Sequence, residues 1–318
     1  GLRSRAMSSG PSICKDDLID EARRLGITDI GIAAAEPVDP ETMSRYRQWI
    51  AEGCHGTMSY LERYPDLRAD PRLILPEARS IITAAFNYYP AQLRQPDNPR
   101  FAYYAYGRDY HEVVRERLSR LADYVTQLTG ATTRVCVDTA PVLERYWAVK
   151  SGLGFKGLNS LLILPSRGSY FFLGEILTTA EITPTEPCNK RCGDCGACQR
   201  ACPAGAIKGD GTIDASRCLS YLTIEYRGEL PDSVDLGNRI YGCDTCQRVC
   251  PHNRKSRPTE IEDFTPSPEF LALDRDDIAN LTPERFNALF RHSAIKRTKL
   301  SGLLRNLNRL SPDNQNLT

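Results

Sequence analysis

The residues best suited to chemistry in this 318-residue chain are its twelve cysteines. When Cys188 is set aside, eight of them fall between Cys192 and Cys250. The first run, "CGDCGACQRACP" (192–203), has the spacing C-x2-C-x2-C-x3-C-P. In that spacing three thiolates bind one [4Fe–4S] cluster and the fourth binds a second cluster. A zinc ribbon would use two separated CxxC pairs, so the pattern favours iron–sulfur clusters over zinc.

A second run, "GCDTCQRVCP" (242–251), has only three cysteines, and Cys218 in "SRCLSYL" is the natural replacement for the missing one. We therefore predict that cluster 1 is bound by Cys192, Cys195, Cys198 and Cys250, and cluster 2 by Cys202, Cys218, Cys243 and Cys246. Cys188 has the wrong spacing for a ligand. The others, Cys14, Cys54 and Cys136, are expected to be buried structural thiols.

The segment before the cysteines must position the rest of the site, and its pattern is mixed α/β. Apolar residues at helical spacing predict helices in "CKDDLIDEARRLG" (14–26), in 110–130 and in "LERYWAVKSG" (143–152). Strands are predicted in "ITDIGIAA", in 80–89, in "TRVCVDTAPV" (133–142), in "SLLILP" and in "SYFFLGEIL". The fold class is therefore α/β (α+β).

Composition excludes several classes of protein. The chain is 41% hydrophobic and 25% charged with a net charge of +1, and no run approaches the eighteen or so apolar residues of a membrane span. The N-terminus lacks the apolar core of a secretory signal, and cysteine-rich chains without such a signal are expected in the cytoplasm. No GxGxxG follows a predicted strand and no Walker A loop is present, so nicotinamide binding and nucleotide hydrolysis lose support.

Several long motifs together carry a family resemblance. They are "VDTAPVLERYWAVKSGLGFKGLNSLLILPSRGSYFFLGEILT" (137–178), the two cysteine runs, "RCLSYLTIEYRG" and "NRIYGCDTCQRVCPHN". In these motifs the chain closely resembles the epoxyqueuosine reductases, which complete the tRNA wobble base queuosine.

The resemblance implies three parts. We expect a nitroreductase-like, cobalamin-binding α/β domain at 7–180, after a vector-derived segment at 1–6. A ferredoxin-like domain with two [4Fe–4S] clusters is expected at 181–258. A C-terminal helical segment with a basic face follows at 259–318, in a short or truncated form, since many members continue into helical repeats.

Cofactor and catalytic residues also follow from the resemblance. Asp138 of "VDTAP" matches the family's proton donor, and its place at a strand end favours burial and a raised pKa. Without the family, Asp138 would be interpreted as a cap for a helix starting near Pro141. Arg68, Ser220, Asp244 and Thr245 match positions that contact the corrin, although Asp244 and Thr245 would also suit an ordinary turn.

The implied substrate is a tRNA anticodon stem-loop. Arg145 and Arg227 lie in family-matched motifs, whereas Lys296 and Arg297 belong to an acid-free run, 285–312, that carries seven Lys or Arg. Such a run suits phosphate binding, although it is usually a solvated helix face. Base stacking would use aromatic rings, for which Tyr103, Tyr104, Tyr106 and Tyr110 are candidates.

Two other functions stay open. A corrinoid reductive dehalogenase shares the general plan but usually carries a twin-arginine signal, which this sequence lacks. A ferredoxin-type electron-transfer module would need only the cysteine-rich segment. For the main hypothesis we expect a monomer that receives electrons from an unidentified low-potential donor.

Overall fold

The computed structural model describes residues 12–311 and has a mixed α/β architecture. The strands are β1 (Asp29–Ala34), β2 (Ser80–Asn87), β3 (Arg100–Phe101), β4 (Thr133–Cys136), β5 (Phe155–Lys156), β6 (Leu162–Ile163), β7 (Phe171–Thr178) and β8 (Arg239–Tyr241). The helices are α1 (Lys15–Arg24), α2 (Pro40–Ala51), α3 (Pro65–Ala69), α4 (Tyr110–Thr129), α5 (Glu144–Lys150), α6 (Ala197–Ala201), α7 (Leu219–Ile224), α8 (Thr245–Arg248), α9 (Pro268–Ala272), α10 (Arg275–Ala279), α11 (Pro283–Phe290) and α12 (Lys299–Leu307). The helices predicted before the cysteine-rich segment are confirmed, and so are the strands β1, β2 and β7. The strand predicted over 133–142 is shorter, because it ends at Cys136 and 137–143 is a loop, and the strand predicted in "SLLILP" covers only Leu162–Ile163.

The main sheet is antiparallel with the order β1-β2-β7-β4. Helices α1 and α4 pack against one face, and α2 and α5 pack against the other. Because both faces are covered, β2 is apolar along nearly its whole length instead of alternating. Asp109 caps the start of α4 by accepting the His111 N–H, and Gly130 ends this helix with a φ of 69°.

A second hydrophobic core lies around the short parallel pair β3–β8. It joins 101–106, 219–241 and 270–310, so the C-terminal helices share their core with the cysteine-rich segment. Arg305 reinforces this packing by donating to the carbonyls of Tyr226 and Leu222. The three-part division of the chain stays a prediction, and its outer limits, 7 and 318, lie outside the described residues.

No helix within 12–311 is long and apolar enough to cross a membrane.

Candidate active site

Four cysteines line one small surface cavity together with Leu158 and His252. They are the set predicted for cluster 1, Cys192, Cys195, Cys198 and Cys250, and are called the outer group here. Gly196, with a φ of 59°, turns the chain so that α6 carries Cys198 toward the cavity. Burial raises the pKa of Cys198, and neighbouring thiols of the same group raise it further. Cluster binding by these four cysteines stays a prediction.

The set predicted for cluster 2, the inner group, consists of Cys202, Cys218, Cys243 and Cys246. Burial raises the pKa of Cys218 to about 11, and the nearby Cys243 and Cys202 thiols add to this shift. Burial raises the pKa of Cys246, and the thiols of Cys243, Cys218 and Cys198 raise it further. Because Cys198 belongs to the outer group, the two groups are adjacent. The packing of α6 against α8 brings them together.

The remaining cysteines lie elsewhere. Cys54 and Cys136 are buried, as expected, and Cys188 is half-buried with a weak contact to the Lys190 carbonyl. The expectation for Cys14 is wrong, because this residue lies exposed at the start of α1.

Asp244 and Thr245 lie in the turn between Cys243 and Cys246, and both side chains are already bonded. Asp244 accepts from the Tyr103 N–H at 2.8 Å and from the Gln247 amide at 3.2 Å. Burial raises the pKa of Asp244 to about 6. The Thr245 hydroxyl accepts from the Arg239 guanidinium at 2.8 Å. The turn role that the sequence left open is therefore present, and a corrin contact for both residues stays a prediction.

The other two predicted corrin contacts differ from one another. Arg68 is 9% exposed, and its guanidinium donates to the carbonyls of Arg63 and Tyr60, which shapes the loop that carries Tyr60. Ser220 is half-buried, and its hydroxyl has no hydrogen-bond partner among the described residues. A bond from the Thr57 N–H to the Tyr221 hydroxyl, 2.8 Å, ties the loop that carries Tyr60 to the helix that carries Ser220.

Asp138 follows β4 and points toward the start of α4. Its Oδ2 accepts from the Tyr110 hydroxyl at 2.9 Å and bonds to Nε2 of His111 at 2.7 Å. Two expectations are corrected here. Asp138 is exposed, with 48% of its side chain accessible, and its pKa lies below the ordinary value. Partial desolvation by the surrounding protein would by itself raise that pKa, but the bonds from His111 and Tyr110 outweigh it.

The alternative role of Asp138 as a helix cap is also wrong. Helix α5 begins after Leu143, and no side chain caps it. The side chain of Asp138 is directed to His111 and Tyr110 instead.

His111 is a further candidate functional residue that no sequence motif predicts. Its Nδ1 bonds to Asp109 at 2.8 Å, so the imidazole lies between two carboxylates. Burial alone would lower the pKa of His111, but Asp109 and Asp138 outweigh it and raise the pKa to about 9. The ring is therefore an imidazolium at neutral pH and holds a proton against Asp138. The segment "DYH" carries half of this arrangement, but the partner Asp138 is 27 positions away.

Three of the four tyrosines that are candidates for stacking, Tyr103, Tyr104 and Tyr110, lie between the inner group and Asp138, and their role in stacking stays a prediction. Tyr103 bonds to Asp244 through its backbone, and Tyr104 packs against the ring of Tyr110, which bonds to Asp138. Tyr106 is buried in the second core. More accessible rings occur at Tyr60 and Tyr64, which are 43% and 62% exposed. Partial burial raises the pKa of Tyr60 to about 12, and the nearby carboxylates of Glu225 and Asp138 contribute.

Three of the four predicted tRNA contacts lie together. Arg227 donates to the carbonyls of Arg297 and Thr298, and Arg297 forms a two-pronged pair with Glu225. Lys296 lies 3.7 Å from Asp109, so these cations border the Asp109–His111–Asp138 series. Their charge reaches the site, since Arg297 helps to lower the pKa of Asp138.

The fourth cation lies apart from them. Arg145 is exposed on α5 and donates to the backbone of Ser160.

Two protein-family models match the chain. Residues 68–139 match the model described as "Epoxyqueuosine reductase QueG, DUF1730". Residues 191–253, which span both cysteine groups, match a "4Fe-4S double cluster binding domain".

Full-length relatives are similar as well. An epoxyqueuosine reductase of Cellulophaga algicola is 39% identical over 92% of this chain and 96% of its own length. One of Cyclobacterium marinum is 42% identical over 90% of this chain and 93% of its own length. The corresponding Escherichia coli protein is 39% identical over 90% of this chain and 76% of its own length.

Solved structures agree in fold. A crystal structure of epoxyqueuosine reductase with an epoxyqueuosine-modified tRNA-Tyr stem loop has a TM-score of 0.84 at 32% identity, covering 92% of this chain and 79% of that one. The Streptococcus thermophilus enzyme has a TM-score of 0.85 at 31% identity, with the same coverages. A Bacillus subtilis structure, with a TM-score of 0.83 at 31% identity over 92% of this chain and 79% of that one, is described as having its aspartate catalytic loop swung out of the active site.

Proposed function

Because this chain belongs to the epoxyqueuosine reductase family, we propose that it reduces epoxyqueuosine to queuosine at the wobble position of a tRNA. The family is one of reductases, so the chain is an oxidoreductase. The observation that carries the specific proposal is the exposed Asp138 carboxylate, bonded to a protonated His111 and bordered by Arg297. This arrangement presents an available proton to a polyanionic substrate.

The proton side of the reaction uses these residues. Conversion of an epoxide to an alkene consumes two electrons and two protons and releases one water. The proton held by His111 passes through Asp138 to the epoxide oxygen as the first carbon–oxygen bond breaks, a general acid step. A second proton lets the resulting hydroxyl leave as water while the two electrons form the double bond. Asp109 keeps the His111 ring oriented throughout.

The electron side uses the two cysteine groups. Cys192, Cys195, Cys198 and Cys250 bind cluster 1, and Cys202, Cys218, Cys243 and Cys246 bind cluster 2. The match to a double-cluster domain and the adjacency of the groups support this assignment. On this proposal the α/β part, 7–180, is nitroreductase-like, 181–258 is ferredoxin-like, and 259–318 is the basic helical part.

On this proposal, cobalamin would bind next to the inner group. The unpartnered hydroxyl of Ser220 offers a polar contact, and the exposed rings of Tyr60 and Tyr64 offer apolar surface to a large, amphipathic ring. Asp244 and Thr245 would contact it from the cysteine turn, while Arg68 shapes the opposite loop. When bound, cobalamin supplies a strongly nucleophilic, reduced cobalt for attack on carbon.

The tRNA stem-loop lies against the cations, on this proposal. Arg227, Lys296 and Arg297 contact backbone phosphates beside Asp138, and Arg145 contacts the tRNA from α5. The relative solved with a tRNA stem loop supports this partner. We further propose a cytoplasmic monomer supplied by a separate low-potential electron donor.

A reconstitution experiment tests the function. Anaerobically purified protein is loaded with iron, sulfide and cobalamin, reduced chemically and mixed with a tRNA stem-loop that carries epoxyqueuosine. Mass spectrometry of the nucleosides should show queuosine, one oxygen atom lighter than the substrate. Intact clusters and bound cobalamin without queuosine would contradict the proposal. Loss of halide from a haloaromatic compound would instead support a dehalogenase, and failure to bind cobalamin would support an electron-transfer module.

A further inference from the structure

Glu175 lies in the interior strand β7 and is completely buried. Its register partners are Thr83 on β2 and Cys136 on β4. Neither carboxyl oxygen of Glu175 receives a hydrogen bond from a conventional donor within 12–311, and the Thr83 hydroxyl is also unpartnered. A buried carboxylate without a donor or a cation is strongly disfavoured, so Glu175 must be satisfied in another way.

The neighbouring group is the carboxyl of Glu144, at the start of α5, within hydrogen-bond reach of Glu175. Two carboxylates repel one another and neither can donate, so a bond between them requires a shared proton. Burial raises the pKa of both groups, and the Asp138 carboxylate raises both further.

Most of the titratable groups around Glu144 and Glu175 become negative, not positive, when they ionise. The other titratable groups that face the pair are Tyr110 on α4, Cys136 on β4 and Arg145 on α5. Arg145 is the one cation among these, and it opposes the rise in the pKa of Glu144.

Glu144 also contacts the backbone of the active site. Its Oε1 accepts the N–H of Asp138 at 3.2 Å. Asp138 has a φ of 45°, in the left-handed region that is unfavourable for a residue with a Cβ. Asp138 and Thr139 are exposed on the loop 137–143, so the bond to Glu144 holds this strained residue from the protein side.

We propose that Glu144 and Glu175 form a latch, in which a proton shared between their carboxyl groups lets Glu144 hold Asp138 in its catalytic position. With the proton present, Glu144 bonds to Glu175 and accepts the Asp138 N–H at the same time. When the proton is lost, three carboxylates face one another and the loop 137–143 is released outward. Glu144 and Glu175 are thus positioning residues that act through Asp138.

Hydrogen exchange of the loop 137–143 tests the latch in the free protein, without substrate. Removing one ordinary hydrogen bond in Glu144→Ala should raise loop opening about tenfold. Glu175→Gln places an amide donor where the shared proton was. Its loop should therefore exchange near the wild-type rate at neutral pH and, after correction for intrinsic exchange, stay protected in alkali where the wild-type loop opens. Glu41→Gln, an exposed change on α2, is the matched control.

Turnover gives the second measurement. Glu144→Ala should lower kcat with tRNA affinity unchanged, and Glu175→Gln should show a shallower alkaline fall in kcat than the wild type. The latch is overturned if Glu144→Ala leaves loop exchange at the wild-type rate, or if wild type and Glu175→Gln share one pH dependence. The latch rests on the proposed function only through the role of Asp138. Normal loop exchange behaviour without queuosine formation would contradict the function and leave the latch intact.

Discussion

The cysteine-rich segment and the Asp138 end of the main sheet are adjacent regions with opposite chemistry. In the first, eight thiols form two groups, of which the outer one includes the exposed Cys195 and the inner one has no exposed member. In the second, an imidazolium and several carboxyl groups form a series that runs from exposed Asp138 to buried Glu175. Tyr103 and Tyr104 lie between the two regions.

This difference indicates that electron transfer and proton transfer occur in separate regions of the protein. On the proposed function, electrons enter at the outer group and pass to the inner group, whose Cys246 is near enough to Cys198 for the two thiols to interact electrostatically. Proton transfer occurs on the other side of Tyr103 and Tyr104, where burial and neighbouring carboxylates determine the pKa values of the titratable groups. A change in one region should therefore leave the other intact, and each prediction below tests that separation.

The largest effect is expected for Asp138→Asn. The amide keeps the shape of the side chain but cannot pass a proton, and general acid catalysis contributes about 10²–10⁴-fold, so turnover should fall by that factor. The iron content and the affinities for cobalamin and tRNA should stay unchanged. Queuosine formation with a chemical reductant measures the loss.

Asp39→Asn is the matched control, because Asp39 caps α2 and is exposed. Asn caps a helix about as well as Asp, so this variant should keep full turnover. Near wild-type turnover in Asp138→Asn would show that the proton comes from elsewhere, and loss of iron would show that the two regions are not separate.

The second effect concerns pH and His111. Its pKa is raised to about 9, so the ring is protonated below that pH and loses its proton as the pH rises through it. Turnover should therefore fall above about pH 9, with a steepness that approaches tenfold per pH unit. The carboxylate partners of protonated His111 also stabilise the folded protein. This contribution to the free energy of unfolding is complete below the ordinary histidine pKa of about 6.5 and is lost as the pH rises through about 9.

His111→Gln should lower turnover and remove the component of the pH profile near 9. The control is His292→Gln, since His292 is largely exposed and 3.6 Å from Glu112. A profile for His111→Gln that keeps the wild-type fall near 9 would assign that ionisation to another group.

A smaller effect is expected for charge reversal at the cations beside Asp138. Each lost phosphate contact reduces the number of counterions released. Arg297→Glu should therefore weaken tRNA binding and make the slope of log K against log salt concentration shallower by about one. Arg227→Glu, Lys296→Glu and Arg145→Glu should act in the same direction. Arg23→Glu, an exposed change on α1, is the control. Unchanged affinity of all four variants across several salt concentrations would remove these residues from the RNA surface.

The two regions also differ in how well the sequence predicts them. The cysteine groups could be predicted because cluster ligands lie at fixed short spacings, and only Cys218 had to be found outside a motif. Asp138 could be predicted through a resemblance, but its ionisation could not. Its pKa depends on His111, which is distant in sequence and is placed by the Asp109 cap at the start of α4.

Glu175 illustrates the same limit. In the sequence it is one polar residue in an apolar strand, and its meaning comes from the antiparallel register that sets β7 between β2 and β4. The main strands and helices could be predicted from local periodicity, whereas the convergence of charges from separate elements could not.

The smallest effect in magnitude, a twofold change in iron, tests the electron side directly. Cys218 lies outside both cysteine runs, and its assignment depends on its proximity to Cys243 and Cys202. Cys218→Ala should lose one cluster and retain about four of about eight irons, because each [4Fe–4S] cluster needs its thiolate ligands. Cys188→Ala should retain about eight, since Cys188 is not among the thiols that raise the pKa of Cys198, Cys218 or Cys246. If Cys188→Ala loses a cluster, or Cys218→Ala keeps all its iron, then the inner group has a different fourth ligand.

The same two variants test the separation of the two regions. The protons held by His111 and Glu175 should be unaffected in both, so hydrogen exchange of the loop 137–143 should match the wild type. Any change in that exchange would mean that the two regions are coupled through Tyr103 and Tyr104.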